Sequence, residues 1–223
     1  MGKIWCSFGD SITKQEKWQP FVLEAFPLEH INCGLGSTTV GVPASPLITH
    51  PAYYTDERLG LGKYADTKTA VTESGISYQL LLPNTPDVVT IMGGSNDVFY
   101  AHGLGGEADI REKNVHTYVG AYAYVIETLF AHDPAVKLFL LSPVWSAPLE
   151  NVPAVFSLEE CTQATRQLAQ RYGVPFVDVY RESGITHATR QLYHQSDAVH
   201  PNEEGGKRIA ALVKKAFAAH GIL

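Results

Sequence analysis

Cysteine is scarce in this chain. There are three in 223 residues, Cys6, Cys33 and Cys161. Their number and scatter speak against a disulfide framework and against a thiolate zinc site. Cys6 and Cys33 fall within apolar runs and are expected to pack as small core residues. Long apolar runs are missing too, so no stretch reads as a membrane span. The start, Met1-Gly2-Lys3-Ile4, lacks the apolar stretch of a signal peptide. A cytoplasmic location is expected if the chain is complete, and secretion if a leader has been removed. Charge is sparse, at 18% of residues, with a formal net charge of -6. With no basic excess, neither a nucleic acid nor an anionic membrane is the expected partner. Repeats, low-complexity tracts and an interdomain linker are all absent, so residues 1–223 are expected to form one domain.

What is present is alternation. Short continuous apolar runs at 3–8, 28–33, 88–92, 137–141 and 175–177 read as strands buried on both faces. Amphipathic stretches fill the gaps, at about 19–26, 76–82, 110–131, 158–172 and 203–219. This is the pattern of an α/β protein with a parallel sheet flanked by helices. Gly173 and Pro175 close the 158–172 helix. Glu203 and Glu204 at the start of the last helix, with Lys214 and Lys215 nearer its end, suit the helix dipole. Two connections are long for a compact domain, an insertion at about 42–75 and the stretch 142–156. Both leave the carboxyl end of the proposed sheet, where ligands bind in open α/β folds.

Three turn blocks carry chemistry. Phe8-Gly9-Asp10-Ser11-Ile12 follows the first strand, so Ser11 stands where the strand breaks and holds its hydroxyl out. Gly94-Ser95-Asn96-Asp97 follows the third strand, and its glycine lets backbone approach a ligand. Asp197-Ala198-Val199-His200-Pro201 precedes the last helix. A serine nucleophile needs a base, and the base needs a group that fixes its tautomer. Within a turn the Asp197 carboxylate can accept from His200 Nδ1 and leave Nε2 facing Ser11. Asn96 can donate to an oxyanion without carrying charge. A fourth segment, Asn32-Cys33-Gly34-Leu35-Gly36-Ser37-Thr38-Thr39, can add backbone N–H donors. Each block alone reads equally as ordinary turn chemistry.

Together, in this order, the blocks resemble the SGNH hydrolase superfamily, also called GDSL esterases and lipases. The resemblance spans residues 9–201. It implies a three-layer α/β/α sandwich around a mostly parallel five-stranded sheet, with a flavodoxin-like arrangement. It also implies Ser11 as nucleophile, His200 as base, Asp197 as its orienting carboxylate, and Ser11, Gly36 and Asn96 as oxyanion donors. The second block departs from the family's usual Asn-x-Gly-x-Ser-Gly-x-Thr-Thr. With a one-residue gap Gly36 takes the glycine position, and without it Ser37 does.

The expected activity is hydrolysis of carboxylic esters with a short acyl group, such as acetyl, including esters of carbohydrates. No cofactor and no metal are expected. Tyr53, Tyr54, Arg58 and Tyr64 in the first long connection, and Trp145 in the second, are candidates for a substrate wall. Competing readings are a thioesterase or lysophospholipase with a longer acyl pocket, and a non-catalytic carbohydrate-binding domain. Asp10 and Asp97 are read as caps and loop fixers rather than as an acid–base pair. His102, His187 and His194 are read as solvated loop residues.

Overall fold

The computed structural model describes residues 2–34, 36–41, 86–147 and 153–222. Five strands form one sheet: β1 (Ile4–Gly9), β2 (Glu29–Gly34), β3 (Val88–Met92), β4 (Lys137–Leu141) and β5 (Phe176–Val177). Their order is β2-β1-β3-β4-β5 and every pair is parallel. The expected strands are therefore present, each within one residue of its anticipated bounds. The expected helix at 76–82 and the insertion at 42–75 lie outside the described residues.

Alternation along the strands builds two cores. Cys6 and Phe8 of β1, Val89 and Ile91 of β3, and Leu138 and Leu140 of β4 face one side. There they meet Tyr118, Tyr122 and Ile126 of α5 (Tyr118–His132) and Cys161 and Leu168 of α6 (Leu158–Tyr172). Trp5, Val88, Met92, Phe139 and Leu141 face the other side. They meet Val22 of α2 (Gln19–Leu23) and Ile209, Val213 and Phe217 of α9 (Glu203–Ala219). Phe217 closes this layer with ring centroids 5.5, 5.5 and 4.9 Å from Trp5, Phe26 and Phe139. Side chains at i and i+2 of a strand share a face, so strands covered on both sides must be apolar throughout. All three cysteines are buried.

Local signals fix the long helices. Ser157 caps α6 by accepting from Glu160 N–H at 3.1 Å, while the Glu160 carboxylate accepts from Ser157 N–H at 2.8 Å. This reciprocal pair satisfies two orphan donors. Gly173 ends α6 at φ 66°. The helix anticipated over 110–131 is instead two, α4 (Glu107–Glu112) and α5. Lys113 turns left-handed at φ 53° between them. Asn114 Nδ2 donates to Asp109 Oδ1 at 2.7 Å, so local side-chain bonding replaces the helical ladder. Four single-turn helices carry too few residues to show a period: α1 (Ser11–Lys14), α3 (Asp97–Tyr100), α7 (Val179–Glu182) and α8 (Arg190–Tyr193).

Register decides where the chemistry gathers. Gly9 at the end of β1 pairs with Gly34 at the end of β2 and with Met92 at the end of β3. The chain exits after these three strands therefore share one edge of the sheet. The connection from β1 runs outward to β2, and the next strand is laid on the opposite side of β1. The crevice between β1 and β3 is thus the topological switch point, the usual ligand position in such sheets.

Candidate active site

Ser11 opens α1 directly after β1. A side chain at Gly9 would bring its Cβ within 2.2 Å of Thr13 Oγ1 and 2.5 Å of the Met92 carbonyl. Only glycine fits this approach of β1 to β3, and it seats the turn that follows. Asp10 caps α1 by accepting from Ile12 N–H at 2.9 Å. Burial pushes the Asp10 carboxyl up to about 6, against the pull of the Ile12 N–H and of His200.

His200 reaches the same point from the far end of the chain. Its Nε2 lies 2.7 Å from Ser11 Oγ, and its Nδ1 lies 2.7 Å from Asp197 Oδ2. Asp197 Oδ1 accepts from the N–H groups of Val199 and His200 at 2.9 and 3.0 Å. Partial burial pushes the Asp197 carboxyl up. The N–H and ring of His200, with the Val199 N–H, outweigh this and hold it at about 2. The turn is tight enough to put Ala198 at φ 56°. Two glycines behind it allow α9 to close in. A Cβ at Gly205 would meet the Tyr193 carbonyl at 2.2 Å, and one at Gly206 would meet the Lys17 carbonyl at 1.8 Å.

Asn96 stands at the exit of β3. Its Nδ2 donates to the Thr38 carbonyl at 2.7 Å. An amide nitrogen carries two protons, so one remains for another acceptor. Asp97 is fully buried and accepts from Val40 N–H at 2.8 and 2.9 Å and from Gly41 N–H at 3.0 Å. Burial pushes its carboxyl up to about 7, opposed by those two N–H groups. Asn96 and Asp97 thereby clamp the segment after β2 onto the segment after β3. Asp10 and Asp97 both serve as fixers of backbone, as the sequence suggests.

The pocket at this edge has a volume of about 270 Å³. Ser11, Asn96, Asp197 and His200 line it, joined by Ser37, Ser95, Phe99, Ser146, Ala147 and Val199. Ser37 stands at φ 59° and lines the pocket, whereas Gly36 beside it is not among the lining residues. Sequence reasoning did not single out Ser95, Phe99, Ser146, Ala147 or Val199 as pocket residues. Ser95 and Val199 sit inside recognised blocks, and that proximity was the available signal. Ser146 follows β4 with no motif around it.

Of the proposed wall residues, Tyr53, Tyr54, Arg58 and Tyr64 lie outside the described residues. Trp145 is half-buried against two histidines, with ring centroids 6.0 Å from His187 and 5.7 Å from His194. It is not among the residues lining the pocket. His102 and His187 are exposed as expected, but His194 is buried. The cause is tertiary. His194 pairs with Pro201 in an antiparallel bridge, and its carbonyl accepts from Asn202 Nδ2 at 3.1 Å. Among the described residues no group of three or more His, Cys, Asp or Glu side chains is arranged to hold a metal ion. Nor, among them, is any helix long and apolar enough to cross a membrane.

Comparison with known proteins places the chain in a family. A model of the GDSL-like lipase/acylhydrolase family matches residues 7–208, and the chain belongs to that family. It is accordingly a carboxylic ester hydrolase, with small-molecule esters as its substrates. The fold is similar to that of a solved protein from Lactobacillus plantarum, with TM-score 0.73 and 21% identity over 98% of each chain. It is also similar to a lipase/acylhydrolase from Enterococcus faecalis, with TM-score 0.59 and 16% identity over 98% of this chain and 96% of that one. A third likeness is to a protein from Chitinophaga pinensis described as a possible lipase, with TM-score 0.69 and 18% identity over 99% of each chain. Comparison with curated proteins found no match.

Proposed function

We propose that the protein hydrolyses short-acyl carboxylic esters through a serine acyl-enzyme. Ser11 is the nucleophile, His200 the general base and then acid, and Asp197 the carboxylate that fixes the His200 tautomer. The observation that carries this reading is the pair of 2.7 Å contacts running from Ser11 Oγ through both nitrogens of His200 to Asp197. Asp197, held at about 2, stays ionised at neutral pH and stabilises the imidazolium when it forms.

In the first half-reaction Ser11 Oγ bonds to the ester carbonyl carbon as its proton passes to His200 Nε2. The carbonyl electron pair moves onto oxygen. That oxyanion is received by Ser11 N–H, by the second Asn96 amide proton and by a backbone N–H of Gly36 or Ser37. Collapse breaks the bond to the alcohol oxygen, which leaves with the proton from Nε2. Water, deprotonated by the same nitrogen, then releases the acid and frees Ser11.

The pocket volume of about 270 Å³ is just under the roughly 300–1,000 Å³ of common small-molecule sites. This favours a compact ester, an acetyl or similarly short acyl group, on a sugar or another small alcohol.

Labelling with a fluorophosphonate followed by peptide mapping tests the nucleophile. Modification is expected at Ser11, and Ser11→Ala is expected to lose roughly 10⁴-fold or more in kcat. Wild-type turnover by Ser11→Ala would overturn the assignment. A panel of 4-nitrophenyl esters tests acyl length. A steep rise in kcat/KM toward long chains would replace the short-acyl reading with that of a long-chain acyl hydrolase.

A further inference from the structure

The chain leaves β3 through two glycines. Strand pairing ends at Met92, and Gly93 and Gly94 carry the backbone on toward Asn96. Glycine adopts either hand of φ freely, so this exit needs an outside constraint to hold one conformation. Gly94 stands at φ 123°, and its carbonyl accepts from Val98 N–H at 3.1 Å as α3 begins. Asn96 is the N-cap residue of α3. The setting of Gly94 therefore decides where α3 starts and how Asn96 is presented to the pocket.

A buried phenol supplies the constraint. Tyr118 of α5 is fully buried. Its hydroxyl donates to the Gly93 carbonyl at 3.3 Å and lies 2.7 Å from Thr165 Oγ1 of α6. Thr165 donates its own proton to the Cys161 carbonyl at 2.9 Å, so the phenol proton is shared between Thr165 Oγ1 and the Gly93 carbonyl. The next residue is packed as closely. A Cβ on Gly94 would stand 3.0 Å from the Tyr118 hydroxyl and 2.5 Å from Cys161 Sγ. Burial pushes the Tyr118 phenol well above its ordinary 10, so it remains a donor at neutral pH. Tyr118 is not among the residues lining the pocket, so any part it has in turnover is played through the backbone.

We infer that Tyr118 is a positioning residue for ester hydrolysis: through Gly93 and Gly94 it holds the exit of β3 so that the second Asn96 amide proton points at the oxyanion. This rests on the serine-hydrolase reading above and adds to it a residue that never touches substrate. The Thr38 carbonyl takes the other Asn96 amide proton at 2.7 Å. Thr38 thus fixes the side chain, and Tyr118 fixes the backbone that carries it. An oxyanion donor acts chiefly in the transition state, so displacing it lowers kcat and leaves KM nearly as it was. A misplacement of about 1 Å can cost roughly 10²-fold.

Tyr118→Phe keeps the ring and removes the hydroxyl. It is expected to lose about tenfold in kcat on 4-nitrophenyl acetate, with KM within about twofold of wild type. Made in Asn96→Ala, the same change is expected to cost less than about twofold, because the group it sets is already gone. Thr165→Val removes the competing acceptor and leaves the phenol proton to Gly93. Its kcat is expected within about twofold of wild type even where Tm falls. Equal losses from Tyr118→Phe with and without the Asn96 side chain would overturn the inference. So would a wild-type kcat in Tyr118→Phe, or the same loss of kcat in Thr165→Val. Asn96→Ala alone separates the two levels. If it loses kcat, a failed cycle removes only the positioning role. If it keeps the wild-type kcat, the oxyanion assignment falls and the role of Tyr118 falls with it.

Discussion

The backbone N–H of Ala147 donates to the carbonyl of Ala198 over 3.0 Å, tying a wall of the pocket to the turn that carries Asp197 and His200. Ala198 also donates its own N–H to the Gln195 carbonyl at 3.0 Å. These bonds hold a residue with a Cβ in the left-handed region, at a steric cost of about 1–2 kcal/mol. Ala198→Gly removes that cost and adds freedom to the unfolded chain worth about 0.4–1 kcal/mol. A net stabilisation of about 0.5–1 kcal/mol is expected. Ala198→Val, with a branched Cβ, is expected to destabilise by about 2 kcal/mol. Urea midpoints of the three proteins check this, and the reverse order would show that the turn is not strained.

Asn96 is held by Thr38, so truncation affects both fold and chemistry. Asn96→Ala is expected to lose about 10²–10³ in kcat and about 1 kcal/mol in stability. Asn96→Asp replaces the donor by a carboxylate facing the Thr38 carbonyl, and is expected to be worse in both respects. Turnover of 4-nitrophenyl acetate, read beside Tm, checks it. An unchanged kcat in Asn96→Ala would remove this residue from the oxyanion site.

Asp97 makes stability depend on pH. Its folded carboxyl is raised from 3.8 to about 7 by burial. Between those values the folded protein binds the proton more tightly than the unfolded chain does. The stabilisation is complete below about pH 4 and is lost as pH rises through 7. Asp10, raised to about 6, acts in the same direction. Asp97→Asn keeps an acceptor for the N–H groups of Val40 and Gly41 and cannot ionise. Its Tm is expected to fall less than that of wild type between pH 5 and pH 8. Parallel curves would show that Asp97 is ionised throughout.

His194 slopes the other way. It is buried, and burial lowers its pKa below 6.5, against the Trp145 backbone and the Asp197 charge, which favour the protonated ring. The unfolded chain takes up the proton first, so this residue weakens the fold as pH falls below about 6.5. His194→Phe keeps the aromatic contact with Trp145 and abolishes the titration. Its Tm is expected to exceed that of wild type at pH 5 by more than at pH 8. An equal change in Tm at both values would show that His194 does not weaken the fold as the pH falls.

The strands were legible because strands covered on both faces must be largely apolar, as 88–92, with Thr90 the one exception, and 138–141 are. The convergence of Ser11, Asn96 and His200 was legible because each lies in a turn block with its own chemistry beside a strand or helix end. The split of the 110–131 helix was not. It depends on one Asn114 amide reaching Asp109, which leaves the apolar periodicity intact. Burial of His194 was hidden because Trp145 comes from a different part of the chain. Ser146 was hidden for the same reason, since a serine after a strand is ordinary until its neighbours are known. Whether Gly36 or Ser37 faces the oxyanion turned on a single gap in the second block.

Strand order also sets which half of the machinery is the more durable. β1, which delivers Ser11, is bonded on both flanks, to β2 and to β3. The chain reaches His200 only after β5, an outermost strand held to β4 by two residue pairs. Partial opening from that rim is less costly than opening at the centre. Gentle heating is therefore expected to loosen the segment between β5 and His200 before the strand that bears Ser11, and turnover followed beside Tm would show it.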